Sequence, residues 1–331
     1  MKSRLDSFNL PNKPKVVFLG PEFAFKVINT RFSNDIRFVQ CAPIHRHLAQ
    51  EIVDAHGLID ASMKLPITHE MIASTSNFRI ISTATTGCDH IDKTVLSNSS
   101  ITVKTLREDE DLLNNLTPAA EHTWALLLSL VRNLCGAVSH VNTGLWDREQ
   151  FPGMMLEGKT LGIVGCGRLG QKVASFGNAF GMDVVGFDPY LSSWPTFISP
   201  KTIEEVFLSS HVISIHVHVT PETRGLISRE LINSTKRGTF IINTSRGQII
   251  DERALLDSLL SGQTGGAGLD VLDGEPNVSD HNLVDYARNN HNLLISPHCA
   301  GYAPEAVNKV CVRAAEKVVE FFRDEATELN D

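Results

Sequence analysis

The sequence has no excess of positive charge: 38 acidic residues outnumber 30 basic ones in 331, and the formal net charge is −8. No basic cluster interrupts this balance, which argues against nucleic-acid binding as the main role. No apolar run has the length of a membrane span, and residues 1–8 lack the apolar core of a signal peptide. The six cysteines form no CxxC pair. We therefore expect a cytoplasmic protein with reduced thiols, and neither nucleic acid nor membrane as a partner.

The overall composition of the chain is that of a globular protein. Hydrophobic residues make up 42% of the chain, enough for a substantial core, and the length suggests two domains. Beyond residue 160, predicted strands alternate with helical stretches, which indicates a parallel, doubly wound α/β sheet. These strands are predicted at 161–165, 183–188, 211–217, 239–244, 266–271 and 292–296. A smaller alternation precedes residue 117, with candidate strands at 16–19, 57–59, 79–82 and 101–103.

Residues 117–140 are predicted to form one long helix. Thr117 is suited to the N-cap and Pro118 to the first helical position. Apolar side chains recur at helical spacing, namely Trp124, Leu127, Leu128, Val131 and Leu134. Such a stripe is either buried between domains or part of a subunit interface, and the sequence favours neither.

The segment LGIVGCGRLG, residues 161–170, carries the most specific pattern in the chain. It is read as a buried strand, a glycine turn and the start of a helix, which is where a dinucleotide pyrophosphate binds. Gly165 permits the tight turn, Gly167 lets phosphate approach the backbone, and Gly170 lets the helix pack on its strand. Arg168, within the turn, is a candidate cationic contact to phosphate.

An acidic residue, Asp188, ends the next predicted strand eighteen residues after Gly170. A carboxylate at this place accepts hydrogen bonds from the adenosine ribose and repels a 2′-phosphate. The following residues 189–191 offer no arginine for such a phosphate. The sequence therefore predicts NAD as the cofactor, in preference to NADP.

Three candidate catalytic residues lie just beyond later predicted strands: Arg246, Glu275 and His298. In open α/β sheets, ligands bind along this edge. Hydride transfer to a 2-keto acid needs a cation that holds the carboxylate and polarises the ketone, which suits Arg246. It also needs a general acid that titrates near neutrality, which suits His298. A carboxylate neighbour raises the pKa of a histidine, so Glu275 is expected to orient His298 and keep it protonated.

Each of these three residues also has an ordinary structural interpretation. Arg246 is equally interpretable as a surface arginine, Glu275 as a turn cap before Pro276, and His298 as a core histidine bonded to backbone. Together, in a chain that already carries a dinucleotide-binding turn, the catalytic interpretation is favoured.

With these motifs in place, the chain resembles the D-isomer-specific 2-hydroxyacid dehydrogenases across nearly its whole length. The resemblance rests on the Gly165 turn, the segment 243–251 (NTSRGQIID), the segment 268–276 from Gly268 through Glu275 to Pro276, and Pro297-His298. The order Arg, Glu, His and the spacings between them match the family.

The resemblance implies two Rossmann-like domains, with the coenzyme domain inserted in a discontinuous substrate domain. The substrate domain would be 1–116 plus 304–331, and the NAD-binding domain 117–303. A homodimer is implied, with the helix from Thr117 contributing. Thr86 and Gly87 resemble the family loop that receives the substrate carboxylate, alongside Arg246 and His298. Asp270 resembles the residue that binds the nicotinamide carboxamide, and further implied cofactor contacts are Leu169, Val217, His218, Thr220, Thr244, Ser245, His298, Ala300 and Gly301.

One departure concerns His218, where many relatives carry proline. His216 and His218 would lie on the same side of a strand, which suggests a metal pair, but no further ligand lies nearby and we expect no metal. Three cysteines fall in candidate site segments: Cys88, Cys166 and Cys299. Packing is the favoured interpretation of them, and inactivation by thiol modification is the alternative.

The expected activity is NAD-dependent reduction of a small 2-keto acid such as glyoxylate, hydroxypyruvate or pyruvate. A phosphoglycerate or phosphonate dehydrogenase of the same family is the alternative enzyme. A non-catalytic NAD-sensing protein of the corepressor type is the alternative of a different class, because a fold by itself does not establish a function.

Overall fold

The structure is a computed structural model that describes residues 13–73, 75, 77–97 and 100–328. Residues 1–8, for which no signal peptide is predicted, lie outside the described residues. The chain divides into two units: residues up to Leu116 with those from Ala303 onward form unit 1, and Thr117–Tyr302 form unit 2.

Unit 1 is built on a parallel five-stranded sheet with the order β2-β1-β3-β4-β5. Its strands are β1 (Lys15–Leu19), β2 (Arg37–Cys41), β3 (Gly57–Asp60), β4 (Ile80–Thr83) and β5 (Thr102–Lys104). Every residue of β1 is buried, as expected for a parallel strand covered on both faces. The helices are α1 (Glu22–Phe32), α2 (His45–Glu51), α3 (His69–Ala73), α4 (Lys93–Leu96), α5 (Glu110–Asn114) and α13 (Pro304–Glu328).

The last helix, α13, completes unit 1. Its apolar side chains, among them Val307, Cys311 and Val318, belong to the same core cluster as β1 and α1. The buried ammonium of Lys317 and the guanidinium of Arg313 both pair with Asp109. Apolar packing and these ion pairs therefore join the two sequence segments of the unit.

Unit 2 is built on a parallel seven-stranded sheet with the order β12-β11-β10-β9-β6-β7-β8. Its strands are β6 (Thr160–Val164), β7 (Asp183–Phe187), β8 (Ser199–Pro200), β9 (Val212–Ile215), β10 (Thr239–Asn243), β11 (Thr264–Leu269) and β12 (Leu293–Ile295). The order runs outward in both directions from β6 and β9, so their carboxyl ends form the topological switch point at which such sheets bind ligands.

The helices of unit 2 are α6 (Pro118–Val131), α7 (Leu134–Asn142), α8 (Arg168–Ala179), α9 (Ile203–Ser209), α10 (Arg229–Ser234), α11 (Glu252–Ser261) and α12 (Asn282–Ala287). Several begin at side-chain caps of the usual kind. Thr202 and Glu205 form a capping box on α9, and Asp251 accepts the Ala254 N–H at the start of α11. Gly262 ends α11 in the left-handed conformation with φ 68°, which glycine commonly adopts at the end of a helix.

The prediction of one helix over 117–140 was wrong. Asn133 adopts φ 49°, a left-handed conformation that ends a helix and that asparagine tolerates better than most residues. It separates α6 from α7. The Thr117 side chain makes no cap hydrogen bond. Trp124, Leu127 and Val131 are at most 5% exposed within the core of unit 2, so the α6 stripe is buried.

Some strand boundaries also differ from prediction. Strand β2 was missed, and β9 ends at Ile215 instead of 217, because its pairing with β6 and β10 stops there. Among the described residues, no single helix is long and apolar enough to cross a membrane. One bent pair of helical segments, Glu110–Val131 with Leu134–Asn142, has the length and composition of a membrane span. The α6 part of that pair lies in the core of unit 2.

Candidate active site

The glycine turn follows β6 at the switch point. Gly165 has φ 89°, and a Cβ there would collide with the His216 carbonyl. A Cβ on Gly170 would collide with the Gly165 carbonyl oxygen, so only glycine permits this approach of α8 to the strand end. Nothing lies within 4 Å of a Cβ built on Gly167. The backbone is therefore open at Gly167, at the N-terminus of a twelve-residue helix, as a pyrophosphate requires.

Asp188 follows β7, the strand adjacent to β6. Its Oδ2 accepts the Cys166 N–H at 2.9 Å and its Oδ1 the Tyr190 N–H at 2.9 Å. These bonds fix the carboxylate beside the glycine turn and leave each oxygen further acceptor capacity. Arg168, the first residue of α8, is exposed at the start of the helix, and partial desolvation lowers the pKa of its guanidinium. The residues of the turn thus fit a dinucleotide.

The remaining predicted cofactor residues of this edge follow β6, β9 and β10. Leu169 packs against the core, Val217 is half-buried, and His218 and Thr220 are exposed in the turn after β9. The Thr244 hydroxyl lies 2.9 Å from that of Thr123 on α6. The Ser245 hydroxyl donates to the Ile215 carbonyl at 2.7 Å. The hydroxyls of Thr244 and Ser245 therefore form hydrogen bonds within the protein.

The prediction that His216 and His218 lie on one side of a strand was wrong, because both residues lie beyond the end of β9. The His216 ring faces inward, with Nε2 2.8 Å from Ser214 Oγ, whereas His218 is exposed.

The three candidate catalytic residues follow adjacent strands. Arg246 comes after β10, Glu275 after β11 and His298 after β12, and these strands are neighbours in the sheet. All three therefore emerge at the same carboxyl edge as the glycine turn.

His298 and Glu275 form a direct pair. His298 Nδ1 lies 2.6 Å from Glu275 Oε1. Because a carboxylate only accepts, Nδ1 carries the hydrogen and Nε2 is the nitrogen available to a substrate. The His298 side chain is 38% exposed, and its φ of 52° is a conformation in which histidine is enriched among non-glycine residues.

The segment around Arg246 is shaped by Asn243. The Asn243 amide donates to the Arg246 carbonyl at 2.8 Å and accepts the Ser245 N–H at 2.9 Å. Arg246 Nη1 in turn donates to the Ser245 carbonyl at 2.8 Å. The side chain is half-buried, and its planar guanidinium has the donor geometry that matches a carboxylate.

Asp270 holds the His298 loop. Its carbonyl accepts the His298 N–H at 2.8 Å, and its carboxylate accepts the Cys299 and Ala300 N–H groups at 2.9 and 2.8 Å. The Ser296 hydroxyl donates to the same carboxylate at 2.6 Å. Asp270 therefore positions the loop that carries His298, and its expected role toward the cofactor stays a prediction. Ala300 is buried in this loop and Gly301 is exposed.

His122 is a residue of this network that sequence reasoning missed. Its Nε2 lies 2.8 Å from Ser296 Oγ, and His122, Asp270 and Cys299 bring ligand-type atoms within 4.8 Å of one another. The Asp270 oxygens are already committed to N–H and O–H donors, so we assign this cluster to loop positioning. No signal near His122 in sequence indicated it, because its partners lie 148 and more positions away.

In unit 1, Thr86 and Gly87 lie in the loop after β4. The Thr85 hydroxyl donates to the Gly87 carbonyl at 2.8 Å, which folds this loop back on itself. At the end of the neighbouring strand β3, the buried Asp60 accepts the Ser62 and Met63 N–H groups at 2.7 and 3.1 Å. The loops after β3 and β4 thus form the carboxyl edge of this sheet, where a ligand of unit 1 is expected.

The cysteines are all free thiols. Burial raises the pKa of Cys166 to about 12. Burial, followed by the charge of Asp270, raises the pKa of Cys299. Both shifts oppose thiolate formation and agree with the packing interpretation.

Comparison with known proteins places the chain in a family. Residues 124–300 match the NAD-binding domain of the D-isomer specific 2-hydroxyacid dehydrogenases. The chain belongs to this family and carries its NAD-binding domain, as the resemblance predicted.

Among curated relatives, D-3-phosphoglycerate dehydrogenase of Bacillus subtilis is 38% identical over 259 residues, covering 77% of this chain and 47% of that protein. D-3-phosphoglycerate dehydrogenase of Methanocaldococcus jannaschii is 33% identical over 288 residues, covering 85% of this chain and 52% of that protein. The chain thus spans about half the length of these relatives.

Among solved structures, the NAD-dependent formate dehydrogenase of Staphylococcus aureus in complex with NAD has a TM-score of 0.82 and 26% identity, covering 94% of this chain and 96% of that one. D-lactate dehydrogenase of Aquifex aeolicus with NAD and lactic acid has a TM-score of 0.80 and 25% identity, covering 95% and 97%. These likenesses support the predicted fold of two Rossmann-like α/β units.

Proposed function

We propose that the protein is an NAD-dependent oxidoreductase that interconverts a 2-keto acid and a D-2-hydroxy acid. The observation that carries this proposal is the His298–Glu275 pair, held at the same sheet edge as an open glycine turn and Arg246. When bound, NADH supplies the hydride that the reduction requires.

The protein residues have distinct roles in this reaction. Arg246 binds the carboxylate and the ketone oxygen of the acid. His298 Nε2 delivers a proton to that oxygen as the carbon accepts the hydride, so that C=O becomes CH–OH. Glu275 orients the ring and balances its positive charge through Nδ1. In the oxidative direction Nε2 takes the hydroxyl proton. Thr86 and Gly87 are proposed to contact the carboxylate as well.

The identity of the acid is a finer proposal. Relatives named D-3-phosphoglycerate dehydrogenase at 38% and 33% identity favour a phosphorylated hydroxy acid over the glyoxylate-like substrates expected from the sequence. We therefore place 3-phosphoglycerate and its keto form first, and glyoxylate and hydroxypyruvate second.

The test is turnover by the purified protein with each of these acids, in both directions, next to His298→Ala. Loss of the general acid is expected to lower kcat at least about 100-fold. The matched control is His291→Ala, which removes an exposed histidine of the same unit and is expected to leave kcat unchanged. Turnover that survives in His298→Ala contradicts the assigned role.

The NAD-sensing alternative has a distinct outcome in the same assay. NADH binding, followed by fluorescence, with no turnover of any acid in the panel would favour a sensor. A sensor of this kind can keep the trio of Arg246, Glu275 and His298, so the reason to place the enzyme first is the similarity to relatives named D-3-phosphoglycerate dehydrogenase.

We further propose a homodimer, formed through α7. Leu134, Val138 and Val141 are about half exposed and lie on one helical face, followed by Leu145 at 55% and Trp146 at 88% exposure. A contiguous apolar face of this kind is typical of an interface. Light scattering after gel filtration is expected to report a dimer for the wild type and a monomer for Val138→Asp. A cytoplasmic location stays a prediction.

A further inference from the structure

The loop that carries Glu275 has no helix or strand between the end of β11 and the start of α12. Hydrogen bonds within the loop and contacts from outside it both fix its course. Two of the contacts from outside come from one side chain, Glu252, the first residue of α11. Glu252 Oε1 accepts the Asp273 N–H at 2.9 Å, and Oε2 lies 2.9 Å from His281 Nε2. One carboxylate thus holds the loop at two points eight residues apart.

The hydrogen-bond roles in this pair are defined by its surroundings. His281 Nδ1 accepts the Leu283 N–H at 3.2 Å and caps α12. Because Nδ1 is an acceptor, the ring hydrogen lies on Nε2 and is donated to Glu252. Side-chain exposure is only 15% for Glu252 and 17% for His281. Burial raises the pKa of Glu252, and the hydrogen bonds from Asp273 and His281 offset only part of that cost for the ionised form.

The same loop segment contacts both catalytic neighbours. The Leu272 N–H donates to Glu275 Oε2 at 3.3 Å, and Glu275 Oε1 in turn meets His298. On the other side, a Cβ on Gly247 would collide with the Leu272–Asp273 peptide. The residue after Arg246 therefore packs directly on the peptide whose N–H is held by Glu252.

We propose that Glu252 and His281 form a positioning pair that sets Glu275, and through it His298, for proton transfer. The pair does not touch the substrate. Its effect is transmitted by the Leu272–Asp273 peptide. This inference rests on the proposed dehydrogenase function.

Two substitutions separate the pair with little change in size. Glu252→Gln keeps an acceptor for the Asp273 N–H but sets an amide NH₂ against His281 Nε2–H. His281→Asn keeps a cap for α12 but loses the bond to Glu252. The matched control is Asp257→Asn, on the same helix, which breaks the exposed pair with Arg229 and leaves the loop unaltered.

We expect kcat to fall about 10- to 100-fold in Glu252→Gln and in His281→Asn, with the KM for NADH within twofold of wild type. The double variant is expected to be no slower than the slower single variant, because both changes break one interaction. The ¹⁵N resonances of the His298 ring are expected to move in both variants and to stay unmoved in Asp257→Asn.

Unchanged kcat and unmoved His298 resonances, in variants whose melting temperature falls, would overturn the proposal and leave the pair a purely structural brace. If the wild type turns over no acid, the dehydrogenase proposal fails. The His298 resonances then decide the positioning proposal separately, because they require no substrate.

Discussion

His216 provides a test of the structure through the pH dependence of stability. Its ring lies in unit 2 just beyond β9, and within the described part of the chain Nδ1 is buried without a hydrogen-bond partner. Nε2 lies 2.8 Å from the hydroxyl of Ser214. Burial lowers the pKa of His216 from 6.5 to about 3, because the charged ring would lose its hydration.

The sign and size of the effect follow from linkage between protonation and folding. Below pH 6.5 the unfolded chain protonates this ring, whereas the folded protein keeps it neutral down to about pH 3. Stability is therefore fully present above pH 6.5 and is lost as the pH falls. At about 1.4 kcal/mol per pKa unit, a change from pH 7.5 to pH 5 removes about 2 kcal/mol from the free energy of unfolding.

The assay is urea unfolding followed by tryptophan fluorescence between pH 5 and 8. Trp124, Trp146 and Trp194 all lie in unit 2, so the signal reports that unit alone. His216→Gln retains a polar group near Nε2 but does not titrate. We expect the stability of wild type relative to this variant to fall by about 2 kcal/mol from pH 7.5 to pH 5.

A matched control is His291→Gln, at an exposed position of unit 2. Its stability relative to wild type is expected to vary with pH much less than that of His216→Gln. A His216→Gln difference that is constant over the whole pH range, or equal to the control's, refutes the burial argument.

Three further predictions concern the cofactor turn and the thiols. Gly170→Ala is expected to destabilise unit 2 by several kcal/mol in urea unfolding, because its Cβ meets the Gly165 carbonyl. Gly167→Ala has open space at its Cβ, so we expect this variant to fold normally and to bind NADH more weakly in titration. Equal stability of the two variants would contradict the packing described for Gly170. Asp188→Ala is expected to narrow the preference for NADH over NADPH in kcat/KM, since it removes the repulsion of a 2′-phosphate, and an unaltered ratio would argue against that role. Iodoacetamide is expected to label the exposed Cys135 and to spare the buried Cys166. The pKa of Cys166, about 12, leaves a thiolate fraction on the order of 10⁻⁴ to 10⁻⁵ near pH 7.5. Mass spectrometry of the tryptic peptides measures the labelling of each cysteine, and early labelling of Cys166 would contradict its burial.

The family, the NAD-binding turn and the order of the candidate catalytic residues could be predicted from the sequence. These features are local. The steric demands of one strand–turn–helix unit require Gly165, at φ 89°, and Gly170, whose Cβ would meet the Gly165 carbonyl. Gly167 instead leaves the backbone of the turn open. Residues that follow parallel strands share a sheet edge whatever the rest of the chain does.

Features that depend on distant partners could not be predicted in this way. The break at Asn133 follows from a left-handed residue that interrupts an otherwise helical pattern. The inward-facing ring of His216 and the burial of the α6 stripe depend on which surfaces the core covers.

The positioning pair of Glu252 and His281 shows most directly that such partners cannot be predicted from local sequence. Glu252 meets Asp273 and His281, which are 21 and 29 positions further along the chain. Nothing in the local sequence of either residue marks the other as its partner. The sequence determined which chemical groups reach the edge of the sheet, because strand ends and turns obey short-range sterics, and only tertiary packing decided which groups hold them in place.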